Sequence, residues 1–148
     1  MTRVQSLFRC GAILLSSVLI AVAPMTPSAA PQSVDAQGKA SRSPAGTFTS
    51  QQAANGEKMF RQVCSPCHNT DQMTGTKFRS RWADETVGDV FDFISSAMPE
   101  GNPGSLSAEE YSSIVAFFLR DSGYEAGASD LPATLEPLKA IRIEAPSK

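Results

Sequence analysis

Histidine is nearly missing from this chain of 148 residues, which has one, His68. Cysteine is scarce too, at three, and tryptophan occurs once. A single imidazole excludes any site built on two histidines and, with so few thiols, most zinc sites. Charge of one sign is lacking as well. The 13 Lys and Arg against 15 Asp and Glu give a net charge of −2. With a pI near 5.4, no cationic surface for nucleic acid is expected. The longest apolar stretch, Gly11 to Ala23, falls short of the roughly 18–20 residues of a membrane span. What is present, 41% hydrophobic and 19% charged residues, suits one packed domain and excludes wholesale disorder.

Arg3 and Arg9 precede that apolar stretch, and a Pro- and Ala-rich run from Pro24 to Ala30 follows it. The layout predicts a secretory signal peptide over residues 1–30. Its cut falls between Ser28 and Ala36. Pro31 is a poor residue just after a cleavage point, whereas Val34-Asp35-Ala36 offers small or aliphatic residues at the usual two positions. Cys10 lies ahead of the apolar stretch rather than after it, which argues against a lipid anchor. From Gln37 onward the chain holds 11 basic and 14 acidic residues, and its cysteines are Cys64 and Cys67. The expected destination is the periplasm, an oxidising compartment, with no membrane span left after cleavage.

Gln37 to Gly46 is mostly Ser, Gly, Ala and Pro with Lys39 and Arg42 and no apolar periodicity, and residues 37–48 read as a flexible leader. Three helical patterns follow, in an all-α domain over residues 49–126. In the first, Thr49 is placed to cap and Gln52 to close a capping box, with Gly56, Met59, Phe60 and Val63 along one stripe. The second spans about Asp84 to Ala97, with Val87, Val90, Phe91 and Ile94 on one face and Asp84, Asp89 and Asp92 elsewhere. The third starts near Ser107 with Glu109 and Glu110 in its first turn. It repeats the stripe at Tyr111, Ile114, Val115 and Phe118, adds Phe117 and Leu119, and stops at Gly123. Residues 69–83 read as irregular, and Met98 to Ser105 cannot be helix. Ile141-Arg142-Ile143 alternates over too few residues to carry a sheet. Residues 127–148 form a C-terminal extension of open role. Three helices with long loops leave a small core, so something else should fill the middle.

Cys64-Ser65-Pro66-Cys67-His68 supplies it. Two thiols three positions apart can add to the two vinyl groups of a haem, and the histidine after them then sits beneath the iron. The pattern marks covalent attachment of one haem c. Three other readings compete. A Cys64–Cys67 disulfide suits an exported protein, a thioredoxin-like pair needs a βαβ context missing here, and a structural zinc site needs more ligands.

The sixth iron position has no second histidine to fill it. Met59 lies on a helix stripe, where methionine is usually packing. Met73 is five residues beyond His68, too close to reach the opposite haem face comfortably. Met98 is thirty residues on, in a loop and followed by Pro99, and is the expected distal ligand beside His68. A His/Met pair favours ferrous iron and suits electron transfer.

With these residues in view, residues 49–126 resemble a class I c-type cytochrome. The likeness rests on Gly56 and Phe60 ahead of the Cys-x-x-Cys-His motif, Met98-Pro99 and an aromatic last helix. It implies a cytochrome c-like fold in which the first and last helices cross at Gly56 and Phe60, against Ile114 and Phe117. The run from Met98 to Ser107 followed by Tyr111 is also similar to bacterial cytochrome domains that serve periplasmic dehydrogenases, including quinoprotein alcohol dehydrogenases.

Trp82, flanked by Phe78, Arg79 and Arg81, is expected to wall the haem pocket, with Trp82 or Arg81 bonding a propionate. A surface-packed loop aromatic is the competing reading. Charge is lopsided: residues 37–82 hold seven basic and two acidic residues, and 83–148 hold four basic and twelve acidic. Cytochromes often meet partners through such charges. The chain is therefore expected to be a monohaem electron carrier rather than an enzyme, carrying single electrons between redox partners such as a dehydrogenase or a terminal oxidase. The rivals are a dedicated cytochrome subunit of a periplasmic alcohol or sugar dehydrogenase, an open-site haem enzyme such as a peroxidase, and a thiol oxidoreductase.

Overall fold

The computed structural model describes residues 33–34, 40–41 and 44–144. The expected signal segment and its cleavage region fall outside these, apart from Ser33 and Val34. The class is all-α. Helices α1 (Ser50–Met59), α2 (Thr70–Met73), α3 (Gly75–Arg81), α4 (Val87–Ala97), α5 (Ala108–Asp121) and α6 (Leu135–Lys139) follow one another, with a π-helical turn at Phe60–Cys64 continuing α1.

The three long helices sit where their apolar stripes place them. Thr49 caps α1 by accepting the Gln52 N–H at 3.0 Å. Ser107 caps α5, with Glu110 completing a capping box. Helix α4 begins later than its pattern suggests, at Val87, because Asp84 takes a positive φ of 66° and Thr86 becomes the cap. Asp89, expected to point away, accepts from both the Thr86 N–H and its hydroxyl, at 2.8 and 2.6 Å.

Helices α1 and α5 cross at Gly56. A Cβ there would lie 1.8 Å from the Ser113 carbonyl oxygen and 2.8 Å from the Ile114 nitrogen, so only glycine lets the backbones approach this closely. Phe60 packs on Phe117 with ring centroids 5.4 Å apart. The crossing is the one the cytochrome resemblance implies.

Three features depart from the sequence expectation. Residues 69–83 contain α2 and α3 rather than irregular chain. Asn69 caps α2 with Gln72 as its reciprocal partner, and the buried Phe78 ties α3 to the core. The leader is not wholly free: Ser33–Val34 pairs antiparallel with Ala40–Ser41. Pro44 and Phe48 are fully buried, and the Gly127 N–H bonds the Phe48 carbonyl at 2.7 Å. Gln52 closes no capping box. Its buried amide instead donates to the Leu131 carbonyl at 2.9 Å and accepts the Leu131 N–H at 2.7 Å.

The segment after Gly127 packs on the helices through Leu131, Leu138, Ile141 and Ile143, all buried. An isolated antiparallel bridge joins Thr86 to Arg142, and the Val87 N–H bonds the Ile141 carbonyl at 2.8 Å. Helix α6 thereby lies along α4, close enough that a Cβ on Gly88 would meet the Lys139 backbone at 2.8 Å.

Candidate functional site

The Cys-x-x-Cys-His segment leaves α1 through the π-turn. The Ser65 N–H reaches back to the Phe60 carbonyl, and Pro66, which has no N–H, ends the helical ladder. The Cys64 carbonyl then accepts from both Cys67 and His68, at 3.1 and 2.9 Å. This folds the segment into one turn that holds both thiols and the imidazole together. Cys64 is half-buried and Cys67 exposed, and they are not bonded to each other. Burial pushes the Cys64 thiol up from its ordinary value, the opposite of what a reactive redox thiol requires.

From the other side, α4 delivers Met98. Its N–H closes the last turn of α4 on the Ile94 carbonyl at 3.1 Å, and its backbone is extended (φ −128°, ψ 152°) ahead of Pro99. Helix α5 presents Tyr111, Ile114 and Phe118.

Together these elements enclose a cavity of about 460 Å³ lined by Cys64, Cys67, His68, Met73 and Met98. Its walls include Phe60, Val63, Ile94, Leu106, Ile114 and Phe118. The size falls within the roughly 300–1,000 Å³ of small-molecule sites. The donor set fits a haem: two thiols for the vinyl groups, an imidazole and a thioether for iron, and apolar walls for a flat macrocycle.

A second cavity of about 280 Å³ adjoins it, sharing His68, Met73 and Met98 and adding Trp82 and Arg81. Trp82 is half-buried and meets Phe93 edge-on at 5.8 Å, and the exposed Arg81 guanidinium lies over both rings, at 5.2 and 5.4 Å. Both residues therefore stand at the site. Arg79 does not, because its guanidinium is spent on the Ser122 carbonyl at the end of α5 and on Thr76.

The structure also brings Met73 to the cavity, beside His68, whereas its nearness to His68 argues only against its reaching the opposite haem face. The short helix α2 turns the chain back within one turn. Met59 lies instead beside Lys58 and Glu109 in a separate surface groove. Phe93 and Leu106 were not singled out from the sequence. Phe93 lies off the α4 stripe and is 37% exposed, a signal visible as an aromatic on a polar face.

Residues 51–118 match the family model described as cytochrome C oxidase, cbb3-type, subunit III. The match supports a c-type cytochrome domain over this segment. No curated protein and no solved structure matches the chain. A c-type cytochrome domain implies covalently bound haem c, and two free thiols, Cys64 and Cys67, are present at the cavity. The protein is an electron-carrying haem protein, and among its described residues no helix is long and apolar enough to cross a membrane.

Proposed function

We propose that the chain is an exported, periplasmic monohaem cytochrome that passes single electrons between redox proteins, with His68 and Met98 as axial ligands. One observation carries the reading: Cys64, Cys67, His68 and Met98 line a single cavity, the first three delivered by the turn after α1 and the last by the C-terminal end of α4. Bound haem supplies an iron that takes up and releases one electron. The chain's own residues hold it by two thioether links, surround it with apolar side chains and present the imidazole and thioether. Trp82 and Arg81, at the adjoining cavity, are assigned to a haem propionate, because a carboxylate there needs a donor or a cation. Arg3, Arg9 and the apolar stretch to Ala23 support export through a cleaved signal.

Two partners fit this carrier. The run from Met98 to Ser107 resembles cytochrome domains that serve quinoprotein dehydrogenases, which favours a dehydrogenase as electron donor. The name of the matching family favours a terminal oxidase.

The test is spectroscopic. The oxidised protein should show the weak near-infrared sulfur-to-iron charge-transfer band, and the ferrous protein should take up carbon monoxide poorly. Met98→Ala should abolish the band, open the iron to carbon monoxide and lower the potential. Met73→Leu and Met59→Leu should change none of these. If Met73→Leu removes the band and Met98→Ala keeps it, Met73 is the ligand. A wild type without the band that binds carbon monoxide readily is an open-site haem protein.

A further inference from the structure

Tyr111 does more than fill the stripe of α5. Its ring is 3% exposed and lines the main cavity. Its hydroxyl donates to the Met98 carbonyl at 2.7 Å. Its edge meets Phe91 of α4, with centroids 6.4 Å apart and planes at 79°. The backbone of Met98 is thus held at both ends, its N–H by Ile94 of α4 and its carbonyl by Tyr111 of α5. From Glu100 to Ser105 the loop that follows is exposed throughout.

The geometry points to Tyr111 as a positioning residue that keeps the Met98 thioether in place against competing ligands. The inference rests on Met98 being the distal ligand. A side chain can swing a sulfur away only if its backbone, or its own torsions, let it move. The hydroxyl removes the first freedom by tying the carbonyl to a helix that is itself packed on α1. With the tie cut, the ring still fills its space, so the ligand should stay in place but yield more easily.

Tyr111→Phe in the holoprotein tests this. The variant should keep the charge-transfer band. Its ferric form should bind imidazole about tenfold more tightly, the effect of one hydrogen bond lost from the ligand-bound state. Carbon monoxide uptake by the ferrous form should rise in parallel. Tyr124→Phe is the control, since it removes another buried tyrosine hydroxyl, bonded to the Glu144 carbonyl, away from Met98. It should leave imidazole binding unchanged.

A Tyr111→Phe protein with wild-type imidazole affinity overturns the proposal, as does an equal shift in Tyr124→Phe. A wild type lacking the band overturns the ligand assignment first, and this proposal with it. A further measurement needs no variant. Proton NMR of the ferrous wild type should show contacts from the Tyr111 ring to Met98 and Pro99, and their absence also counts against the tie.

Discussion

Helix α5 is met by different material on its two flanks. Toward α1 the backbones touch at Gly56, and Phe60, Phe117 and Phe118 interleave with ring centroids 5.4 to 5.8 Å apart. Toward α4 and the Cys-x-x-Cys-His turn, Ile114, Phe118 and Tyr111 instead bound a cavity of about 460 Å³. The first flank needs only protein to bury its apolar surface. The second needs a large flat apolar group, and until that group is linked its walls have no partner atoms on one side. The core of this domain is therefore shared between side chains and haem, and the two flanks should respond differently to damage.

The largest effect is expected on the cavity side. Replacing Cys64 and Cys67 by Ala removes the covalent attachment, and haem binding is then no longer available to hold the fold. The double variant should lack the added haem mass and show no cooperative melt by circular dichroism. A haem-free protein with native helicity and a sharp melt would mean that the α1–α5 flank suffices alone.

Gly56→Ala attacks the other flank. The new methyl would sit 1.8 Å from the Ser113 carbonyl oxygen, and backbone cannot rotate aside as a side chain can. Overpacking costs about 1–3 kcal/mol, and more where backbone must shift, so a loss of at least ~3 kcal/mol is expected in denaturant unfolding. Haem should still attach, since its thiols are untouched. A loss under ~1 kcal/mol would show that the crossing has slack.

The same division explains what the sequence discloses. Helices α4 and α5 are long enough for their stripes to repeat, so Val87 to Ile94 and Tyr111 to Phe118 are legible. Helices α2 and α3 are four and seven residues long, too short for a period, and only the cap at Asn69 and Gln72 marks one of them. The packing of Leu131, Leu138, Ile141 and Ile143 has no local signature at all. Its anchors, such as Gln52 to Leu131, join residues 79 apart. The Cys-x-x-Cys-His residues are contiguous and chemically unusual, and the motif is read directly. Met98 follows from eliminating the other methionines. Met73 at the cavity does not, because its place depends on the unseen α2. The Tyr111 tie is hidden inside a stripe that marks burial and says nothing about where a hydroxyl points.

The smallest effect is expected at the far end of α4, where protein again closes on protein. Burial of the Asp89 carboxyl works against its ionisation, yet the hydrogen bonds from the Thr86 hydroxyl and N–H hold its pKa below the ordinary value. A carboxylate with a depressed folded pKa stabilises the fold above its unfolded pKa of about 3.9, and that contribution disappears as pH falls through the lower folded value. Asp89→Asn should therefore melt a few degrees below wild type between about pH 5 and pH 7, consistent with a capping interaction of ~1 kcal/mol. The difference should begin to close as the pH falls below about 4, where the unfolded chain takes up a proton, and should vanish once the folded carboxyl is protonated as well. The near-infrared band should be unaffected, because Thr86 and Asp89 lie at the opposite end of α4 from Met98. A gap that persists unchanged to pH 3 would assign the loss to the geometry of the cap rather than to the charge of Asp89.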